Sequence, residues 1–263
     1  MPRFLTAPRW LVGHALVLVV VVLFVNFGFW QLRRLEEVRA LNGLVSARLA
    51  GPPRPLDAVL ADAAGGPSAA AFRRAIVRGR YLPGEELLVG PRTRDGRPGY
   101  QLLTPLDTGG RLLLVDRGWV PYELDRPPVG PAAPPDQPVR LSGIVHDSRP
   151  PPRFGPQVPT QGEPDVVPRV DLPRLQPRFE RPLYPVWLQL QEQVPPQADL
   201  PLPTEPRKLD EGNHLSYAMQ WFAFAAIALV GYALLLGKNA QEERAARVPG
   251  ADARQPEVAE RRP

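Results

Sequence analysis

Two long apolar runs constrain the fold of this chain more than any other feature of its sequence. The first extends from Trp10 to Phe29 and the second from Leu215 to Leu236. An apolar stretch of about 18 or more residues can cross the hydrocarbon core of a bilayer as a helix. Because that core holds no water, each run must satisfy its backbone polar groups within its own helix. The sequence therefore predicts a membrane protein with one spanning helix near each end.

A cleaved secretory signal is the alternative for the first run. Such a signal has a shorter apolar core and a cleavage site of small residues. Here the run ends in Asn26-Phe27-Gly28-Phe29-Trp30-Gln31, with bulky side chains where cleavage would occur. We therefore expect an N-terminal tail over residues 1–9 and an uncleaved transmembrane helix over residues 10–30.

Two spans place both termini on one side of the membrane and the middle of the chain on the other. Arginine and lysine flank the spans about equally on both sides, so the positive-inside rule does not decide the orientation. The apolar first span and the short N-terminus favour cytoplasmic termini. We therefore expect a multi-pass protein of the plasma membrane, with its middle domain outside the cytoplasm.

Residues 31–72 are expected to leave the membrane as a helical extension and then to form a linker. The stretch from Gln31 to about Leu49 is rich in helix-forming residues, and Gly51-Pro52-Pro53 follows it as a stop signal. A short amphipathic helix is predicted from Leu56 to Ala63.

The pattern changes to strands after Arg73. Apolar and polar residues alternate in several segments, separated by turn signals such as Asp95-Gly96 and Asp107-Thr108-Gly109-Gly110. We therefore predict one mostly antiparallel, partly barrel-like β domain over residues 73–193, with a helical turn at Leu172 to Leu175. The fold class is thus an α+β membrane protein, in which two transmembrane helices enclose an extracytoplasmic β domain.

Proline is abundant, with 36 residues, and it concentrates between the predicted strands. Proline cannot donate to a sheet ladder, so we expect loops at residues 126–138 and 149–164 and a Pro-rich linker at 194–213. The second transmembrane helix is predicted over residues 214–236. Residues 237–263 are charged and poor in large apolar side chains, which predicts a disordered tail.

The composition excludes several classes of function. The chain has no cysteine, which rules out disulfides, thiolate metal sites and thiol redox chemistry. Its three histidines lie far apart along the chain, which disfavours a multi-histidine metal site. No nucleophile–base pair, phosphate-binding loop or nucleic-acid motif accompanies the net charge of +5. We therefore expect neither an enzyme nor a partner of nucleic acids.

Polar and aromatic side chains gather at one membrane level, because the first span ends at the leaflet where the second begins. They are Trp30, Gln31, Arg34, His214, Tyr217, Gln220 and Trp221. Three of them, His214, Tyr217 and Trp221, fall on one helix face at i, i+3 and i+7. Ionisable and amide groups at membrane depth are costly, and they support a functional hypothesis.

The chemistry of this group is compatible with haem. A neutral imidazole at His214 could ligate haem iron as an axial base. Tyr217 and Trp221 could pack on the macrocycle, and Arg34 could pair with its propionates. Simpler readings remain: the aromatic side chains could anchor the membrane interface, His214 could cap its helix, and Arg34 could pair with Glu37.

The other two histidines are not expected to take part. His14 lies at the opposite leaflet, where a snorkelling side chain is the simpler interpretation. His146 ends a predicted strand beside a Pro-rich loop, and we expect it to be exposed.

Three short motifs in the chain match those of a known protein family. The family's Gly-x-Trp-Gln-x-x-Arg is matched by Gly28, Trp30, Gln31 and Arg34, and its Arg-Gly-Trp-Val-Pro by residues 117–121. Its His-x-x-Tyr-Ala-x-Gln-Trp-Phe is matched from His214 to Phe222. With these motifs, and with two spans around a β-rich domain over nearly the whole chain, the sequence resembles the Surfeit locus protein 1 family of oxidase assembly factors.

The resemblance implies a role in assembling a haem-copper terminal oxidase of the cytochrome c (aa3) type in a respiratory chain. It implies that His214 ligates haem a transiently and that the haem is delivered to oxidase subunit I, with haem a synthase as a further candidate partner. The alternative is a membrane scaffold that stabilises an assembly intermediate without binding haem.

Overall fold

The structure is a computed structural model that describes residues 6–148, 165–205 and 209–246. The chain divides into two compact units. A helical unit contains the chain up to Leu41 and from Asp210 onward, and a sheet unit comprises Asn42–Leu209. The loop predicted at 149–164 and the end of the tail predicted at 237–263 lie outside the described residues, as do residues 1–5.

Two long helices form the helical unit. Helix α1 extends from Pro8 to Ala50 without interruption, and its last residues belong to the sheet unit. Helix α5 extends from His214 to Ala246. Each is long and apolar enough to cross a membrane, and only 6% of each apolar window is buried inside the protein. The apolar side chains therefore face outward, unlike those of a core helix in a water-soluble protein.

The two helices pack against each other in antiparallel orientation. Residues near the end of the first apolar run contact the start of α5, while His14 near the start of α1 hydrogen-bonds Tyr232 near the end of the second run. In between, Phe24 packs on Trp221 with 5.6 Å between ring centroids. The buried residues on the α5 side are the small Ala218 and Ala225, which allow close approach of a second helix.

The predicted disordered tail is partly wrong, because α5 continues ten residues beyond Leu236. Residues 238–246 contain Lys, Gln, Glu, Arg and Ala, all strong helix formers. At i, i+4 spacing, Nζ of Lys238 also lies 4.0 Å from Oε1 of Glu242. Gly237 alone does not end the helix, since nothing in the following sequence opposes helical geometry.

The sheet unit is built on one mixed sheet of eight strands. The strands are β1 (Arg54–Pro55), β2 (Arg74–Tyr81), β3 (Leu87–Arg94), β4 (Arg97–Asp107), β5 (Leu112–Pro121), β6 (Val139–Asp147), β7 (Val166–Val167) and β8 (Val186–Val194). Their order is β1-β2-β6-β8-β5-β4-β3-β7. Short helices α2 (Leu56–Ala61), α3 (Pro67–Ala70) and α4 (Leu172–Leu175) accompany the sheet, with short 3-10 turns at Pro83–Glu85, Gly130–Ala132 and Gln176–Arg178.

The expectation of a mostly antiparallel, partly barrel-like domain is confirmed in part, because five of the eight strand pairings are antiparallel but the sheet is mixed. Three pairings are parallel, β1 with β2, β3 with β7, and β5 with β8. β4 also pairs with β2, but only at two positions near Tyr81, so the sheet is not a true barrel. Alternation of apolar and polar residues gives the faces of a strand but not its direction, which is why the sequence did not reveal the parallel pairs.

Several predicted details are confirmed. Asp95 and Gly96 both have positive φ, 48° and 75°, at the turn between β3 and β4, as a two-residue hairpin of this kind requires. Residues 108–111 join β4 to β5, and α4 occupies Leu172–Leu175. The amphipathic helix begins at Leu56 as predicted and ends at Ala61.

The linkers predicted within residues 31–72 and 194–213 both contribute residues to the sheet. Arg54 and Pro55 pair with β2, and Leu202 forms a bridge with Trp119 through two backbone hydrogen bonds of 2.6 and 2.8 Å. Thr204, two residues on, donates to the buried Asp116 at 3.0 Å. The segment from Leu200 to Glu205 is therefore a strap held on β5 rather than a free connector.

Both faces of the central strands are covered. On β5, Leu113 and Val115 belong to one core cluster and Leu112 and Leu114 to another. Leu56 and Val59 of α2 pack in the first cluster, whereas α4 packs in the second. This explains the continuous apolar run of β5, since a strand buried on both faces does not alternate.

A buried ion pair joins β5 to the start of β3. Arg117 and Glu86 have side chains that are 0% and 1% exposed, with 3.4 Å between Nη1 and Oε1. Thr104 donates to Glu86 at 2.7 Å, the Val129 amide donates to it at 3.0 Å, and Arg117 donates to the carbonyl of Ala132 at 2.7 Å. Burial raises the pKa of Glu86 and lowers that of Arg117.

We predict that Arg117→Met destabilises the sheet unit by about 3–5 kcal/mol, because it leaves Glu86 buried without its counter-charge. Arg117→Met/Glu86→Gln should lose less, since the neutral amide needs no counter-charge. Hydrogen exchange of the β5 amides in the full-length protein measures the loss of stability in both variants. Equal loss in the two variants would show that the ion pair is not the cause.

The buried carboxyl group of Asp116 makes the stability of the sheet unit depend on pH. Burial raises its pKa from 3.8 to about 6, so between these values the folded state holds a proton that the unfolded state releases. Stability should therefore fall as pH rises through this range, by about 3 kcal/mol. We predict that Asp116→Asn removes most of this fall, as measured by hydrogen exchange of the β5 amides below and above the range. If the stability of Asp116→Asn fell with pH as much as that of wild type, Asp116 would not be the cause of the pH dependence.

Candidate functional site

His214 and Gln31 meet in the helical unit. His214 is the first residue of α5 and is half-buried, and its Nδ1 lies 2.8 Å from Oε1 of Gln31 on α1. An amide oxygen only accepts hydrogen bonds, so Nδ1 is the donor, and in a neutral imidazole the lone pair then lies on Nε2. No described residue hydrogen-bonds Nε2. In its neutral form the imidazole of His214 therefore has one nitrogen, Nε2, available as a ligand.

Gly212 leaves room beside that nitrogen. It has a positive φ of 65°, and a Cβ at this position would stand 3.7 Å from Nε2 of His214. The turn before α5 is stabilised by Asp210, which accepts a hydrogen bond of 3.1 Å from the Gly212 amide. A side chain at position 212 would strain this turn and narrow the approach to the imidazole.

Gly28 permits the close packing of the two helices next to this pair. A Cβ there would lie 2.6 Å from ring atoms of Phe222, far inside van der Waals contact. Phe222 also packs edge-on against Phe29, with 5.4 Å between centroids. Gly28 and Phe222 belong to the first and third motifs, so the two motifs interlock physically.

Trp221 belongs to an aromatic cluster rather than to the immediate surroundings of His214. Its ring centroid lies 5.0 Å from that of Phe27 and 5.6 Å from that of Phe24. Seven residues separate it from His214, about 10 Å along the helix axis. Its observed contacts are those of helix packing.

The remaining predicted site residues point outward. Trp30 and Tyr217 are 52% and 48% exposed, and Gln220 is exposed as well. Arg34 forms an exposed ion pair of 2.8 Å with Glu37, which confirms the simpler interpretation of that arginine. The structure therefore brings Gln31 and His214 together and leaves Trp30, Tyr217 and Gln220 on the outer surface.

Sequence reasoning missed a second link between the helices. Arg39 donates two hydrogen bonds, of 2.9 and 2.8 Å, to the carboxylate of Glu211, a residue 172 positions away. Glu211 raises the pKa of Arg39, and Arg39 lowers that of Glu211. Each residue is an ordinary surface charge in the sequence, so no local signal could have identified the pair.

The structure corrects the snorkelling expected for His14 and the exposure expected for His146. His14 does not snorkel, because its Nδ1 hydrogen-bonds the hydroxyl of Tyr232. His146 is half-buried rather than exposed, since it stacks on Trp187 at 4.3 Å and bonds Gln189 at 2.9 Å. Among the described residues, no group of three histidine, aspartate or glutamate side chains could hold a metal ion.

The fold and site define a class of protein: a mixed-sheet unit inserted between two apolar helices that meet at a histidine–glutamine pair. The sequence profile of the SURF1 family matches residues 18–226, and the chain belongs to this family. It is 32% identical over 243 residues to an uncharacterized SURF1-like protein of Mycobacterium tuberculosis, covering 88% of this chain and 85% of the relative.

Eukaryotic proteins are similar as well. A SURF1-like protein of Monosiga brevicollis is 29% identical over 237 residues, covering 86% of this chain and 87% of the relative. The cytochrome oxidase assembly protein SHY1 of Saccharomyces cerevisiae is 35% identical over 101 residues, covering 36% of this chain and 25% of the yeast protein.

We predict that Gly28→Leu separates the helices, whereas Gly43→Leu in the same helix does not, because a Cβ at Gly43 would have nothing within 4 Å. The chain lacks cysteine, so Arg39→Cys/Glu211→Cys provides two thiols that a short bifunctional thiol reagent can cross-link without background. Its cross-linking yield should fall several-fold with Gly28→Leu and stay unchanged with Gly43→Leu. Equal yields in both variants would show that the close approach at Gly28 is not required.

Proposed function

We propose that this protein is a membrane-anchored assembly factor for a haem-copper terminal oxidase, rather than an enzyme. Family membership and the similarity to a yeast cytochrome oxidase assembly protein support this role. We further propose that it holds haem a transiently and aids its insertion into oxidase subunit I, with haem a synthase as a candidate donor. The hydrogen bond that leaves Nε2 of His214 available is the observation that carries this proposal.

The residues present fit haem as a cargo. His214 supplies an axial nitrogen, and Gln31 holds the imidazole in the tautomer that a metal ligand needs. Trp30 and Tyr217 offer exposed aromatic surface for an apolar macrocycle. Among the proposed haem contacts on α5, Gln220 lies farthest from His214, about two helical turns away. Trp221 would instead act by packing α5 against α1.

Arg34 has the weakest support among the proposed haem contacts. Its guanidinium already pairs with Glu37, and a propionate would have to replace that carboxylate. The exchange would cost little, because a solvent-exposed ion pair stabilises by less than about 1 kcal/mol.

The proposed location is the plasma membrane, with both termini in the cytoplasm and the sheet unit outside. The two apolar helices support a membrane location, and an even number of spans keeps the termini on one side. The orientation rests on the apolar first span and the short N-terminus.

A scaffold that binds no haem is the second candidate. The Gln31–His214 bond supports it too, because hydrogen bonds between membrane helices stabilise helix pairs without any ligand. In that case the pair would have the same role as His14 and Tyr232 at the other end of the helices.

The two functions differ in the haem content of purified protein. We predict that His214→Ala, made in cells that produce haem a, loses the haem absorption bands, whereas His146→Ala retains them because His146 belongs to the sheet unit. Gln31→Leu should weaken haem binding roughly tenfold, as loss of a partner of a metal-ligating histidine does. Equal haem content in wild type and His214→Ala would exclude ligation by this residue and favour the scaffold.

A further inference from the structure

Three arginines on one face of the sheet have side chains that form no ion pair with a described residue. Arg74 and Arg78 lie on β2, and Arg140 lies on the neighbouring β6. None of their side chains forms a hydrogen bond with a described residue. Some other arginines of the sheet unit are paired, such as Arg54 with Asp62 at 2.6 Å and Arg181 with Asp107 at 2.6 Å. The feature that distinguishes the three arginines is therefore their arrangement on one face of the sheet.

The register places two of these arginines directly opposite each other. Arg78 and Arg140 are Cα partners in the antiparallel ladder of β2 and β6, and both are exposed. Opposed residues in such a ladder have Cα atoms about 4.5–5.5 Å apart, and like charges at that position repel. An anion bound between the two guanidinium groups would turn this repulsion into attraction.

A concave surface lies beside this pair. Its polar lining includes Arg74, Arg140, Ser142 and Glu192. Nε of Arg74 and Oγ of Ser142 are buried there without a hydrogen-bond partner. Ser142 is the ladder partner of Ile76 and therefore lies close to Arg74 on the same face. Unpartnered buried donors are unusual in folded proteins, and these two are placed to donate to one ligand.

Two carboxylates near the arginines limit the charge of the site without cancelling it. Glu192 lines the same concavity as Arg74 and Arg140. On the other side of Arg140, a second concavity contains Arg78 and Asp57, but Asp57 accepts a hydrogen bond of 3.0 Å from Tyr184. The site thus contains three arginines and two carboxylates, and the carboxylate of Asp57 already accepts a hydrogen bond from Tyr184.

We propose that this face of β2 and β6, centred on Arg78 and Arg140, is a binding site for a phosphate-type oxyanion. Guanidinium groups bind phosphate through paired N–H donors with good geometry. The hydroxyl of Ser142 and Nε of Arg74 would add donors at one end of the site. The same chemistry is found in free phosphate and in the headgroup of an anionic phospholipid, and the site is independent of any role of His214.

Isothermal titration of the full-length protein with inorganic phosphate, in a non-ionic detergent, tests the site. Binding should exceed that of chloride at equal ionic strength, and Arg78→Gln or Arg140→Gln should weaken it at least about tenfold. Arg97→Gln is the matched control, because Arg97 is an exposed arginine at the turn between β3 and β4. Phosphate binding no tighter than chloride binding, or equal weakening by Arg97→Gln, would overturn the proposal.

A stability measurement separates binding from a merely structural role. Without phosphate, Arg140→Gln should unfold at the same temperature as wild type or higher, because it removes a repulsive pair. With phosphate, only wild type and Arg97→Gln should gain stability. A lower unfolding temperature of Arg140→Gln without phosphate would contradict the proposed repulsion and overturn the site as described.

Competition identifies the source of the anion. Phosphatidic acid in mixed micelles should displace bound phosphate if the natural ligand is a lipid headgroup, and phosphatidylcholine should not. If neither lipid displaces phosphate while the arginine variants still lose binding, the site is assigned to soluble phosphate compounds. Displacement by both lipids to the same extent would show that charge is not recognised and would refute the proposal.

Discussion

The close approach of α1 and α5 at Gly28 is the constraint on which the candidate site depends. Between membrane helices the hydrophobic effect contributes little, so packing and interhelical hydrogen bonds hold them together. Because Gly28 has no side chain, the ring of Phe222 lies directly on the backbone of α1. Gln31 follows one turn later and can therefore reach His214 at 2.8 Å. The first and third motifs are thus two halves of one helix contact.

The second motif has a different role, which lies inside the sheet unit. Arg117 is buried with Glu86, and Gly118 has a φ of 139°, where the backbone of Leu202 approaches so closely that a Cβ would collide with it. Trp119 then forms the bridge to Leu202. The motif therefore fastens the strap of residues 200–205 to β5. Along the chain, that strap precedes the turn from which α5 begins.

Much of the architecture could be predicted from the sequence, because its signals are local. Runs of apolar residues specify the long helices, and Asp95-Gly96 specifies a tight turn through its positive φ angles. Strand order could not be predicted in this way. β5 and β8 are parallel neighbours although β6 lies between them in sequence, and such pairing depends on contacts between residues far apart in the chain.

The candidate site shows the same division between local and long-range information. Periodicity placed His214, Tyr217 and Trp221 on one face, yet the structure gives them different surroundings. The contact of Trp221 with Phe24 and the pairing of Arg39 with Glu211 both join distant segments. Gln31 was part of the predicted group, but only the structure shows that its partner is the imidazole.

Each of the three histidines has one ring nitrogen in a described hydrogen bond, and the packing around the ring distinguishes His214, the proposed ligand, from the other two. His146 is stacked on Trp187 and bonded to Gln189, and His14 is bonded to Tyr232 and packed edge-on against its ring at 5.6 Å. His214 has one described partner, Gln31, on Nδ1. Gly212 keeps the space beside Nε2 open. A hydrogen bond on one nitrogen and open space at the other is the arrangement that a metal-ligating imidazole requires.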